Sequence, residues 1–129
     1  MSGPVPAPVR RGVLVVEDEP LNRLVLERML TRLGCAVETV ANGHAALDRL
    51  LRPGIDLVLM DCDMPGIDGY ATTAAIRARE AGSGSPRVRI VAVTAHDLPD
   101  DLRRCTDAGM DGHLGKPILL DRLAALLAA

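Results

Sequence analysis

The chain has 129 residues, 48% of them hydrophobic and 25% charged, with a formal net charge of −2. That is one domain with an apolar core, and a charge balance that gives no electrostatic purchase on nucleic acid or an anionic membrane surface. No apolar run approaches the roughly 18 residues that span a bilayer, and Met1 to Gly12 lacks a signal-peptide core. Cys35, Cys62 and Cys105 are odd in number and unclustered, and read as small core residues in a reducing compartment. The expectation is a cytoplasmic protein.

Residues 1–11, with Pro4, Pro6 and Pro8, carry too little apolar mass to fold and are expected to form a flexible tail or linker, leaving residues 12–129 as the domain. Val13 to Val16 is β-branched and apolar, a buried strand. Pro20 to Leu33 is a helix: Pro suits its first turn, Gly34 its stop, and Val25, Met29 and Leu33 make an inward stripe. Ala36 to Val40 is a second strand. Asn42 can cap a helix running to about Arg52, closed by Pro53-Gly54. His44 reads as a surface residue of that helix.

Leu57 to Met60 is a third strand. Asp68 is a candidate cap for a helix over Tyr70 to about Ala81, with Gly82 to Pro86 a turn. Ile90 to Val93 is a fourth strand. Pro99 to Ala108 is a helix with Asp100 and Asp101 in its first turn, where the dipole favours them. Gly112 to Gly115 is a short fifth strand and Leu119 to Ala128 a last amphipathic helix. Continuously apolar strands alternating with helices predict an α/β fold. The expected form is a flavodoxin-like, doubly wound, five-stranded parallel sheet in the order 2-1-3-4-5 with five helices. In such folds the site lies at the carboxyl ends of the strands.

Those ends carry Glu17-Asp18-Glu19, Asp61-Cys62-Asp63, Thr94 and Lys116-Pro117. If the first and third strands are neighbours, Glu17, Asp18 and Asp61 crowd together. Like charges about 4 Å apart repel by several kcal/mol at an effective dielectric near 20, so the group needs a cation. All-oxygen donors suit a hard ion, Mg²⁺ above all. Cys62 points to the other face of its strand and is no ligand. Lys116 is the one Lys among fourteen Arg, and its compact ammonium suits a phosphoryl oxygen. A carboxylate beside Mg²⁺, an ammonium and a hydroxyl is the equipment for phosphoryl transfer onto Asp.

From about Gly12 to Ala128 the chain resembles the receiver domain of two-component response regulators, through VLVVEDE, LVLMDCDMPGIDGY, IVAVTAH and GMDGHLGKP in that order. The phrases DEPLNR and MDCDMPGIDGY are most like those of receivers attached to hybrid sensor histidine kinases. The resemblance implies that Asp61 accepts a phosphoryl group from a phosphohistidine on a histidine kinase or histidine phosphotransfer protein. It implies that Asp18, Asp61 and the Asp63 backbone carbonyl bind Mg²⁺, Glu17 acting through water. It also implies that Thr94, Lys116 and the amides of Ala95 and Asp63 hold phosphoryl oxygens.

One position departs from the family pattern. His113 stands where receivers place the aromatic that switches with Thr94. An inward imidazole must satisfy two nitrogens, with the Thr94 hydroxyl as one candidate partner, so loose coupling is expected. His96, two residues past Thr94, is placed to approach Asp63 over the site. Leu21 and Leu24 are candidates for a partner surface on the first helix. No output domain follows the last helix, so the signal is expected to leave through non-covalent contacts, from a monomer or weak dimer. The chain would be either a single-domain regulator or the receiver of a hybrid kinase.

Two other functions compete. Asp61-x-Asp63 after a strand, with Thr and Lys later, is similar to haloacid-dehalogenase-type phosphatases. Those carry the nucleophile on the first strand and the acidic pair near the end, the reverse of the order here. A receiver fold used as a phosphorylation-independent binding module would be signalled by loss of Asp61 or Lys116, and both are present.

Overall fold

The computed structural model describes residues 10–64, 68–96 and 98–128. The Pro-rich residues of the expected tail, like Pro65 to Ile67 of the MPGIDG phrase, lie outside the described residues. The elements are β1 (Gly12–Val16), α1 (Pro20–Arg32), β2 (Ala36–Val40), α2 (Gly43–Arg49), β3 (Leu57–Asp61), α3 (Gly69–Ser83), β4 (Arg89–Thr94), α4 (Pro99–Ala108), β5 (Gly112–Gly115) and α5 (Leu120–Ala128). The strands are all parallel, in the order β2-β1-β3-β4-β5, as expected.

The period of two along each strand splits the core cleanly. Leu14, Val16, Val58, Met60, Ile90 and Ala92 face Ala46 of α2, Ile76 of α3 and Cys105 of α4. Val13, Val15, Leu57, Leu59, Val91 and Val93 face Leu26 and Leu30 of α1 and Leu123 of α5. All three cysteines are free and buried.

Local departures from the expectations have physical causes. Val25 is 48% exposed, and the buried positions of α1 are Leu26 and Leu30. The inward stripe therefore centres on Leu26 and Leu30, with Met29 and Leu33 of the expected row partly buried against the same core. Helix α2 stops at Arg49 because that side chain turns back onto the carbonyls of Arg52 and Pro53 and onto Glu38. Helix α3 runs on through Gly82 and Ser83, until Gly84 adopts a left-handed conformation at φ 70°. Asn42 and Asp68 do cap α2 and α3, accepting from the amides of Ala45 and Ala71 at 2.8 and 2.7 Å.

Two features set the ground around the strand ends. A Cβ on Gly69 would stand 2.6 Å from the Asp61 carbonyl oxygen, so only glycine lets the start of α3 close over the end of β3. Helix α4 is held to α3 by the Arg104 guanidinium, 4.0 Å from the centroid of the Tyr70 ring, with Cys105 Sγ 4.0 Å from the Tyr70 hydroxyl.

Candidate functional site

The register assembles the site. Val16 pairs with Met60 across β1 and β3, so the next residues, Glu17 and Asp61, come side by side. Thr94 pairs with Gly115 across β4 and β5, which brings Lys116 to the same end, its amide donating to the Thr94 carbonyl at 2.9 Å. Glu17, Asp18 and Asp61 each offer an oxygen within 4.8 Å of the others, two of the residues buried and one exposed. Three carboxylates with no nitrogen or sulfur donor among them fit a hard divalent cation, so this cluster can hold Mg²⁺.

Asp61 is only 2% exposed. Its Oδ1 accepts from Lys116 Nζ at 3.0 Å and from the Asp63 amide at 2.8 Å. Burial, together with the neighbouring Asp61 carboxylate, pushes Glu17 up to about 7. Burial works against the Lys116 charge, but hydrogen bonds to Asp61 and Asp63 outweigh it and raise the pKa of the ammonium above its ordinary value.

The remaining site residues of the sequence analysis fall around this centre. Asp63 Oδ2 lies 3.3 Å from Lys116 Nζ and 3.4 Å from the Ala95 amide. His96 does approach Asp63, Nε2 to Oδ1 at 3.8 Å. Thr94 is buried, its hydroxyl accepting from the His96 amide at 2.9 Å. His113 is not inward and has no bond to Thr94. It is exposed on β5, whose alternation buries Leu114 instead, so water rather than the Thr94 hydroxyl serves its nitrogens.

Leu21 and Leu24 are exposed on α1, as expected of a contact face. Leu98 and Leu119, not singled out from the sequence, are exposed too, as is Val25, which was expected to face inward. Val25, Leu26, Met29, Pro117 and Ile118 wall a groove of about 430 Å³ that opens beside Glu17 and Lys116.

Two further residues escaped the sequence reading. Arg23 Nη1 donates to the carbonyls of Glu17 and Asp18 at 2.9 and 3.1 Å, pinning the turn that carries both acids. Asn22 Nδ2 reaches Glu17 Oε1 at 3.5 Å. Bonds to backbone carbonyls leave no trace in hydropathy; the only signal available was an Arg one turn into the helix behind an acidic run.

An acid cluster and one ammonium at the carboxyl ends of a 2-1-3-4-5 sheet define a phosphoryl-type site on a doubly wound fold. The chain belongs to the response regulator receiver domain family, whose description matches residues 13–128. It is 42% identical over 115 residues to the sensor protein GacS of Pseudomonas syringae pv. syringae, covering 89% of this chain and 13% of that protein. The receiver domain of sensor histidine kinase PA1611 from Pseudomonas aeruginosa PAO1 is 42% identical with a TM-score of 0.80, covering 92% of this chain and 94% of that one. That structure has a magnesium ion coordinated in its active-site cleft. The receiver domain of the Saccharomyces cerevisiae response regulator Ssk1, solved with the histidine phosphotransfer protein Ypd1, is 28% identical with a TM-score of 0.87, covering 92% of this chain and 87% of that one. This chain is thus a receiver domain, and the phosphatase alternative gains no support from these relatives. No helix among the described residues is long and apolar enough to cross a membrane.

Proposed function

We propose that this chain is the phosphoacceptor receiver of a histidine–aspartate phosphorelay, with Asp61 as acceptor and its domain spanning residues 12–129. The observation that carries the reading is the placement of Asp61: a buried carboxylate between the Lys116 ammonium and two further acids, at the open end of the sheet. An oxygen of Asp61 attacks the phosphorus of a partner phosphohistidine. The P–N bond breaks, and its electron pair returns to the imidazole, which takes up a proton. Mg²⁺, held by Asp18, Asp61 and the Asp63 carbonyl with Glu17 through water, would neutralise the crowded acids and the phosphoryl oxygens. Lys116, Thr94 and the amides of Ala95 and Asp63 receive those oxygens. The chain catalyses only its own phosphorylation and dephosphorylation, in the cytoplasm, in either a single-domain regulator or a hybrid kinase.

The partner is a histidine kinase or histidine phosphotransfer protein docking on α1 through Leu21 and Leu24. Labelling with two donors, acetyl phosphate and a phosphorylated partner, tests both statements. Asp61→Asn should abolish Mg²⁺-dependent labelling from either donor. Leu24→Asp should slow transfer from the partner at least about tenfold, the order expected of an interface anchor, and leave acetyl phosphate labelling intact. Full labelling of the Asp61 variant, or equal loss from both donors in the Leu24 variant, overturns the corresponding statement.

Thr94 and His113 make a loosely coupled switch, because His113 already sits in water and Thr94 is engaged with its own loop. His113→Tyr should widen the ratio of partner affinities with and without beryllofluoride. A wild-type ratio that is already large and unchanged by Tyr would remove His113 from the switch.

A further inference from the structure

The donors assigned to an incoming phosphoryl group already have acceptors in the resting protein. Asp63 Oδ2 takes Lys116 Nζ at 3.3 Å and the Ala95 amide at 3.4 Å, and its Oδ1 faces His96 Nε2 at 3.8 Å. The Thr94 hydroxyl accepts from the His96 amide at 2.9 Å and faces the His96 carbonyl at 3.4 Å. A carboxylate offers what a phosphoryl group offers, oxygen acceptors carrying negative charge, and Asp63 presents them to the same ammonium and the same amide.

We propose that the Asp63 carboxylate is a built-in occupant of the phosphoryl seat, displaced when Asp61 is phosphorylated. The inference rests on the phosphoacceptor reading above. The Asp63 backbone is fixed by its amide, which donates to Asp61 Oδ1 at 2.8 Å, so displacement needs only a rotation of the side chain. That side chain is 30% exposed and has water to turn into. Its contacts of 3.3 and 3.4 Å are longer than the usual 2.9–3.0 Å of an N–H···O bond. The occupant is therefore loosely held: it keeps Lys116 and the loop after β4 in place at rest, and it yields to a more highly charged anion. The assigned Mg²⁺ ligand at this position is the backbone carbonyl, so the side chain is free to move with the metal bound.

Beryllofluoride titration at saturating Mg²⁺, followed by ¹⁹F NMR, tests the occupant with Asp63→Ala and Asp63→Asn beside the wild type. The Ala variant should bind beryllofluoride about 5- to 50-fold more tightly, because both the competing acceptor and its charge are gone. The Asn variant should fall between, since its amide oxygen still accepts from Ala95 and Lys116 without the charge. The Ala95 amide resonance should move in the Ala variant before any beryllofluoride is added. Equal or weaker binding by the Ala variant overturns the proposal, as does an Asn variant that equals Ala, which would reduce the effect to charge at a distance. A wild type that binds no beryllofluoride, or an Asp61→Asn variant that binds it fully, would instead remove the acceptor reading and the occupant with it.

Discussion

Two clusters of charge sit at opposite ends of the same strands and obey opposite rules. Before β4 and β5, Arg77 donates to the Gly109 and Val88 carbonyls at 2.9 and 2.7 Å, and to Glu80 and Asp111 at 2.8 Å each. Arg87 donates to the other Asp111 oxygen at 2.6 Å, the Val88 amide to the remaining oxygen of Glu80 at 2.7 Å, and the Ile90 amide to the Asp111 oxygen that Arg77 also holds, at 2.9 Å. Two cations meet two anions, and every oxygen of both carboxylates has a donor. Asp111 is accordingly held below its ordinary value: burial works against the charge, but the Arg87 bond, the Ile90 amide and Arg77 outweigh it. After the strands, Lys116 pairs with Asp61 and Asp63 while Glu17 and Asp18 crowd beside Asp61, and Glu17 is driven upward. The first cluster is finished by folding. The second is left incomplete by folding and needs something bound to complete it.

The largest expected effect comes from breaking the finished cluster. Arg77→Ala leaves one Glu80 oxygen and the Val88 carbonyl without a donor, takes a cation from Asp111, and should cost about 3 kcal/mol in urea unfolding. A loss under about 0.5 kcal/mol, the level of a surface pair, would erase the contrast.

The incomplete cluster should answer with the opposite sign. Because the folded Glu17 titrates near 7 rather than 4.5, the metal-free protein binds an extra proton between those values. Its contribution to stability is full below about pH 4.5 and is lost as pH rises through 7. Asp111 behaves inversely, its contribution being present above the ordinary carboxylate value and lost as pH falls through its lowered one. Glu17→Gln should therefore stabilise the metal-free protein at pH 8 by about 1–3 kcal/mol and flatten its stability between pH 5 and 7.5. Mg²⁺ should raise the melting temperature of wild type more than that of the variant. Identical thermal melts for both proteins across that pH range would mean that the cleft carries no such charge strain.

The smallest effect sharpens what completion means. Thr73 is fully buried on α3, and its hydroxyl is the one side-chain polar atom among the described residues that is buried without a partner. No charge is at stake there and no ligand is implied. Thr73→Val should simply stabilise the protein by about 1 kcal/mol by chemical denaturation, with acetyl phosphate labelling unchanged. A loss of stability would show that the hydroxyl does have a partner.

Much of this was legible in the chain. Apolar runs that stop at an acid, a Thr or a Lys fixed both the strands and the identity of their ends, because a parallel sheet buried on both faces leaves only its rims for charge. The caps Asn42 and Asp68 were readable because capping is local chemistry. What depends on side chains reaching backbone elsewhere was not: Arg23 under the acidic turn, Arg49 stopping α2, and Arg77 joining α3 to the β4 and β5 entries. On α1 only Val25 departs from the expected inward stripe. Val25, Leu26, Met29 and Leu30 are all apolar, and pattern alone could not say which are buried against the sheet and which is left exposed.

Tyr70 is the chain's only aromatic residue, and it lies under Arg104 of α4 beside Cys105. Near-ultraviolet circular dichroism and intrinsic fluorescence therefore have a single aromatic source, seated where α3 meets α4. Any rearrangement of α4 that follows chemistry at Asp61 can be read as an optical signal from that one ring, with no label attached and no second chromophore to subtract.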